Sequence, residues 1–469
     1  MLDWLTRRAR AALRKAARPL AYVPLDGPRG RYPVIGDRAP SVDVAGMDWA
    51  VVEDRSLHRH GWFSDLARHY AATRDDKLAA LACAELARWL AADRPGEGPG
   101  WVHPSDSSFR LVHWAIGVGA LGDALEPDLR RMIAGAARVH ALAALAELGH
   151  QEDDHRRVAH AAALSLAGFG WPGLPEASRF RSEGLSWLGR SLPAQILADG
   201  SPRWGSTANL RVVVELGVLC RQVAQAERGA WPGGLAPALD QAAFFLGALG
   251  DTLPPFGEAP IAPLGMSIGE APPVPEKDWS MLTFRDGGWV IARSRYKGGL
   301  NRLVVRAGES VGPHARDDLG QIGWELAGTP ILVDPGASLP PGERGALPWP
   351  SSEPKPPANL MMARQDGREV RVVVQRLGRR SEARRDLVLA ATRLVVTDRF
   401  GACEPTSLVW PLGPGWASEV DEGGWIADRE GVKLRVGFDG GAATAVDGGF
   451  RVGVAGGLEQ RVKSRFEVR

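Results

Sequence analysis

Cysteine, tyrosine and net charge are all scarce in this chain. Its 469 residues hold 3 cysteines, Cys83, Cys220 and Cys403, far apart and without C-x-x-C spacing. Neither a disulfide framework nor a thiolate metal site is expected, and a reducing compartment suits such a chain. Only 4 tyrosines, Tyr22, Tyr32, Tyr70 and Tyr296, accompany 17 tryptophans and 12 phenylalanines; that mix favours stacking surfaces and buried anchors over phenolic acid/base chemistry. Lys plus Arg number 57 against 55 Asp plus Glu, a net charge of +2, so no global field draws nucleic acid or an anionic membrane. A nucleic-acid partner is therefore not expected, and an anionic ligand must meet a local cluster. No apolar run is long enough to cross a membrane. The start, MLDWLTRRARAALRKAARPLA, lacks the uninterrupted apolar stretch of a secretory signal, so a cytoplasmic location is expected and a periplasmic one less so.

What remains is ordinary globular composition, 45% hydrophobic and 24% charged, with length for about two or three domains. Residues 1–40 read as a basic amphipathic helix and an extended lead-in. Trp4, Leu5 and Leu13 lie opposite Arg7, Arg8, Arg14 and Lys15, which suits a solvated helix or a weak membrane-surface contact through residues 1–20. Residues 41–253 carry apolar positions at helical period, in segments such as KLAALACAELARWLAA and ANLRVVVELGVLCRQVAQA, and predict stacked helical hairpins. Prolines crowd residues 254–279, a linker that no helix interior would tolerate. Residues 280–469 change to short β-branched runs such as NRLVVRAG, TPILVDPG and TRLVVTDRF, linked by Gly, Asp and Pro turns; these predict an antiparallel β-sandwich. The fold class is multidomain, α then β.

Two local features carry weight. Residues 117–122 spell GVGALG and match a dinucleotide fingerprint, but they continue a helix and follow no strand, so close helix packing explains the glycines. All ten histidines lie at or before His314. His314 is thus the one histidine of the β region, on a Gly/Pro-flanked loop beside Arg316, Asp317 and Asp318, a setting suited to tuned acid/base work.

Across roughly residues 55–440 the sequence resembles the heparinase II/III-like polysaccharide lyases, whose fold is an incomplete α/α toroid followed by an antiparallel β-sandwich. FRLVHW matches a family phrase at Arg110 and Trp114, with His113 where asparagine is usual. DDHRRVAHAAALSLAGF resembles the segment beginning Asn-Asn-His: His155 matches, while Asp153 and Asp154 replace the asparagines. LADGSPRWGSTANLRVVVE fits at Leu197, Asp199, Gly200 and Ser206, with Asn209 in the place of a catalytic tyrosine and Arg211 close by. His314-Ala-Arg316-Asp317-Asp318-Leu319-Gly320, then Val333-Asp334-Pro335-Gly336, is similar to His-x-His-x-Asp-x-Gly followed by Val-Asp-Pro-Gly. Asn359 resembles the middle of a His-Asn-Thr phrase, with Ala358 at its histidine.

The resemblance implies cleavage of a uronic-acid glycan by β-elimination in the cleft between toroid and sandwich, with an anionic polysaccharide or oligosaccharide as partner. It places His155, His314, Arg211 and Asn209 in catalytic positions, and Arg110, His113, Asp154, Arg316, Trp204 and Asn359 in substrate-binding ones. β-Elimination needs a neutralised carboxylate, a base for the adjacent proton and an acid for the leaving oxygen. Asparagine can donate to a carboxylate, but ionised Asp154 repels it unless paired with Arg110, Arg156 or Arg211. Asn209 cannot exchange a proton, so base and acid fall to His155 and His314. Relatives bind zinc through residues of which only Asp334 is retained here, so no cofactor is expected and a permanent cation, Arg316 paired with Asp334, stands in for the metal. The alternative is a catalytically degenerate relative that binds glycan or serves exopolysaccharide assembly.

Overall fold

This computed structural model describes residues 44–250 except 55 and 228, residues 256, 264, 268, 272–275 and 278–308, residues 320–334, and residues 358–468 except 378–380, 404–405, 422–423, 430–431, 447–448 and 455–456. The basic segment 1–40 and most of the proline-rich stretch lie outside the described residues. Among the described residues eight α-helices come first: α1 (Gly61–Thr73), α2 (Asp76–Ala92), α3 (Pro104–Leu121), α4 (Pro127–Leu148), α5 (His155–Gly170), α6 (Ala177–Ser191), α7 (Thr207–Ala226) and α8 (Leu235–Leu249). Sixteen strands among the described residues follow, β1 (Ser280–Phe284), β2 (Trp289–Tyr296), β3 (Gly299–Arg306), β4 (Ile322–Leu326), β5 (Thr329–Leu332), β6 (Ala358–Asp366), β7 (Glu369–Leu377), β8 (Glu382–Ala390), β9 (Arg393–Cys403), β10 (Thr406–Pro411), β11 (Ala417–Asp421), β12 (Gly424–Arg429), β13 (Val432–Asp439), β14 (Ala442–Val446), β15 (Gly449–Val454) and β16 (Gly457–Val468). This is the order of an α toroid followed by a β-sandwich, as the periodicity predicts.

The chain forms two compact units. One comprises the described residues within 1–195, 211–239 and 261–268, the other those within 196–210, 240–260 and 269–469. In the helical unit α3 packs against α1, α4 and α5, and α5 against α6. Helix α5, apolar on nearly every side beyond its first turn, is accordingly buried without a break from Val158 to Phe169, as a helix without a polar face must be. Gly117 and Gly119 of GVGALG lie within α3 and Gly122 caps its end at φ +54°, and a Cβ on Gly117 would overlap the ring of Phe63. Close helix approach therefore accounts for this glycine, as the sequence suggests.

All strand pairings are antiparallel, in sheets ordered β1-β2-β3-β4-β5, β10-β15-β14 and β11-β12-β13-β16-β9-β8-β7-β6. Alternation decides which side of each strand is buried: on β8, Ala383, Leu387 and Leu389 enter the core while Arg384 and Val388 do not. One apolar cluster draws on all three sheets, including Val290 and Leu303, Val372 and Leu387, and Trp410 and Phe450. Phe245 of α8 and Phe256 join the core of this unit through aromatic contacts. Phe245 and Phe256 pack edge-on against Trp289, with centroids 5.5 and 5.3 Å away.

Candidate functional site

Arg110 sits in the helical unit with no exposed surface, inside a cluster of tryptophan and histidine rings. Its guanidinium lies 5.1 Å from the ring centroids of both Trp89 and Trp101, a cation–π arrangement that is strongest when desolvated. Its Nε donates to His140 Nε2 at 2.9 Å and its Nη1 to the His58 carbonyl at 2.8 Å. Burial lowers its pKa to about 10, against the pull of Asp93 and Asp106.

Hydrogen bonding fixes the neighbouring imidazoles as neutral. His58 Nδ1 accepts from Trp89 Nε1 at 3.1 Å, His60 Nδ1 accepts from Trp114 Nε1 at 2.8 Å, and His140 Nε2 accepts from Arg110. A ring nitrogen that accepts cannot also carry a proton. Burial, reinforced by the Arg110 cation, holds His60 and His140 well below the ordinary histidine pKa. Nearby, half-buried His113 shares a 2.8 Å hydrogen bond with Ser64 Oγ.

The next motif begins α5. Asp154 is its N-cap: one carboxylate oxygen accepts from the Arg156 amide at 2.8 Å and the other from Arg156 Nε at 2.7 Å. This satisfies an orphan amide of the first turn and identifies Arg156 as the cation that neutralises Asp154. His155, the first residue of the helix, is buried. Arg211 is half-buried on α7, donating through Nε to Glu215 Oε1 at 2.9 Å, while Glu215 Oε2 accepts from the Leu264 amide at 2.6 Å.

Within the sheet-bearing unit, the LADGS phrase folds into a tight turn. The Leu197 amide donates to the Ser201 carbonyl at 2.9 Å, and Gly200 takes φ +87°, where an added Cβ would overlap the Gln241 backbone. Asp199 is the brace of this turn. Its Oδ1 accepts from the Ser201 amide, and its Oδ2 accepts from the amides of Asp286, at 2.7 Å, and Gly287, at 3.3 Å. The motif thereby pins the β1–β2 hairpin, whose Arg-Asp-Gly-Gly sequence is a strong turn signal.

The Ser-x-x-Asn spacing also has a local cause. Ser206 Oγ accepts from the Asn209 amide at 3.1 Å, the geometry of a serine N-cap on α7. Asn209 is buried, and among the described residues its Nδ2 meets no acceptor. A buried donor without a partner costs about 1–3 kcal/mol, so this amide is primed for a ligand or a water. Trp204, half-buried, lies on the same segment.

The hairpin held by Asp199 forms one wall of a cavity of about 580 Å³. Thr283, Arg285 and Asp286 line one side, Ala307 and Gly308 a second, and Asn359 to Ala363 a third. Arg285, Asp286 and Asn359 are exposed. His314 follows Gly308 by six residues in the sequence, but His314 and Arg316 lie outside the described residues, as do Pro335 and Gly336.

Where the chain is again described, its position is fixed by charge. Arg385 Nη1 donates to the Gly320 carbonyl at 2.6 Å, and the same guanidinium grips Asp398 at 2.7 and 3.1 Å. Both ion-pair partners are fully buried, and Arg385 also stacks 4.9 Å from the Trp410 centroid. Burial raises the Asp398 pKa while Arg385 opposes that rise.

The sequence-derived candidates are thus divided between the units. His155, Asp154, Arg110, His113 and Arg211 belong to the helical unit; Trp204, Asn209, Asp334 and Asn359 belong to the other. Arg285, Thr283 and the bracing role of Asp199 were not anticipated. The signal for them was the Asp-Gly-Gly turn in TFRDGGWVIA, which marks a hairpin but not what the hairpin lines. Of the zinc positions in the lyases that the sequence resembles only Asp334, which is buried, supplies a ligating oxygen: Ala358 has no donor atom and an arginine at 316 cannot ligate. These residues do not fit a zinc ion. Among the described residues no cluster of three or more His, Cys, Asp or Glu side chains is placed to hold a metal, and no helix is long and apolar enough to cross a membrane.

No protein-family model matches the chain, and no curated protein matches it. Solved structures do. A heparinase III crystal structure aligns over 99% of this chain and 85% of its own, with a TM-score of 0.65 at 15% identity. The chain has the fold of a polysaccharide lyase. A second heparinase III aligns over 99% of this chain and 89% of its own, with a TM-score of 0.59 at 16% identity. The heparan sulfate lyase HepC from Pedobacter heparinus gives 0.52 at 14% identity, over 99% of this chain and 87% of its own. At such identities the likeness concerns the fold; the chemistry has to be argued from the residues.

Proposed function

We propose that this protein is a polysaccharide lyase that cleaves a uronic-acid-containing glycan by β-elimination. The observation that carries the reading is the cavity of the sheet-bearing unit, where an exposed guanidinium, Arg285, and an exposed amide, Asn359, line one concave surface. A cation that presents planar donors, an amide and a hydroxyl from Thr283 suit a carboxylated sugar. The heparinase III and HepC structures, whose names denote action on heparan sulfate or heparin, lend the fold and the substrate class.

In this reading Asn209 directs its amide N–H to the uronate carboxylate, lowering the cost of removing the adjacent proton. His155 and His314 divide the roles of base and acid. One accepts that proton, the other protonates the departing glycosidic oxygen, and a carbon–carbon double bond remains in the ring. Arg211, two residues after Asn209 in the sequence and paired with Glu215, orients the start of α7, and Arg285 and Asn359 hold the chain. An ion pair between Arg316 and Asp334 takes the bracing role of zinc; stoichiometric zinc in purified protein would sink that part.

Incubation with a panel of uronic-acid glycans tests the whole. The reading expects an unsaturated product with new near-ultraviolet absorbance on at least one substrate. A second reading, a glycan-binding or exopolysaccharide-assembly protein without catalysis, is favoured by the placement of an asparagine where the phenol is needed and by Arg110 and Asp154 being bound into internal networks. Binding with no new absorbance across the panel would select it.

A further inference from the structure

Asn359, at the cavity, begins a row of residues that crosses the eight-stranded sheet. Strand register places Asn359 opposite Gln375, Gln375 opposite Arg384, Arg384 opposite Arg399, and Arg399 opposite Arg461. Directly opposed residues share one face of a sheet, and this is the outer face, because their neighbours Ala383, Phe400 and Val462 enter the core. The row spans β6, β7, β8, β9 and β16, four intervals of about 4.8 Å, or about 19 Å in all.

Three arginines on adjacent strands stand side by side at its far end. Like charges directly opposed on a sheet are unfavourable, so folding alone gives no reason for them. Arg384 is partly neutralised by Asp386, at 3.1 and 3.2 Å, and Glu382 beside it accepts from Gln375. Arg399 and Arg461 are exposed, and among the described residues neither makes an ion pair. Lys463 flanks the row on β16, and Arg371, farther along β7 and about half exposed, lies 4.0 Å from Asp386.

We propose that this row is an extended binding track for an anionic polysaccharide, holding the chain beyond the cavity. The inference rests on the glycan reading given above and extends it from a sugar-sized pocket to a polymer. With a net charge of +2 the protein has no general attraction for polyanions, so a local line of cations that begins at the cavity is selective for a chain already seated there. The three arginines span about 10 Å, comparable to one disaccharide repeat, and the amides of Asn359 and Gln375 suit the hydroxyls between charges.

The test compares the full-length protein with the double variant Arg399→Ser, Arg461→Ser, using long-chain heparan sulfate and a tetrasaccharide cut from it. Removing opposed like charges on an exposed face leaves the Tm unchanged or slightly higher. Affinity for the long chain should fall about fivefold to tenfold at low salt, with a shallower salt dependence, while tetrasaccharide affinity stays the same. Unchanged long-chain affinity overturns the track, as does an equal loss on the tetrasaccharide or equally tight, row-dependent binding of duplex DNA. Row-dependent binding of the long chain without any unsaturated product leaves the track standing and sinks the lyase reading. Failure of the unmodified protein to bind any anionic glycan sinks both.

Discussion

The two units treat their arginines in opposite ways. Arg110, in the helical unit, is sealed between Trp89 and Trp101 and spends two of its N–H groups on His140 and His58. Arg285, in the sheet-bearing unit, is exposed on a cavity wall, and Arg399 and Arg461 are exposed on an open face. A motif match finds residues of the first kind readily, because packing restricts them. Ligand capacity belongs to the second kind, whose donors are not already committed to the fold.

Substitutions should separate these classes in order of effect. Replacing Arg385 with Met strands the Asp398 carboxylate in the core, and loss of one partner of a buried pair costs about 3–5 kcal/mol. Chemical denaturation should show that loss, and simultaneous Asp398→Asn should recover part of it. Next comes Gly117→Ala, which drives a methyl into the Phe63 ring and should cost about 1–3 kcal/mol through overpacking, with glycan affinity unchanged. Arg110→Lys should likewise lower the Tm without moving the affinity of the folded fraction, since lysine cannot reproduce the stacked fork.

The pH response should distinguish the units as well. Burial holds His60 and His140 well below their ordinary pKa, and His160 at about 4. Their folded forms are neutral, so the unfolded chain takes up protons first as pH falls. Stability that is complete above about 6.5, the unfolded value, therefore declines between that pH and about 4. Thermal melts followed by tryptophan fluorescence should report the decline in the helical unit, where Trp89 and Trp114 contact these histidines. The smallest expected effect is that of Asp199→Asn, which retains the turn but weakens the acceptor for the Asp286 and Gly287 amides. It should cost about 0.5–1.5 kcal/mol and lower glycan affinity modestly by loosening the wall that carries Arg285.

The sequence makes the division into helices and strands legible, because apolar periods of 3.6 and 2 survive without any knowledge of partners. It also exposes Asp199 and Ser206 as special, though not why: an acceptor of turn amides and a helix cap look the same in a one-dimensional string as a ligand. Asp154 illustrates the difficulty. Its place in a catalytic phrase suggested substrate contact, whereas the structure occupies both of its oxygens with Arg156. Arg285 was invisible for the converse reason. Its importance arises from β6 and the end of β3 meeting the β1–β2 turn, residues 283 and 363 being far apart in the chain.

The contrast between sealed and open cations reduces to one titration. Binding of a uronic-acid tetrasaccharide, followed by calorimetry, should weaken at least about tenfold on Arg285→Ala, the worth of one charged hydrogen bond, in a protein that melts like the unmodified chain. An Arg285→Ala variant that binds the tetrasaccharide as tightly as the unmodified protein would contradict the assignment of the cavity.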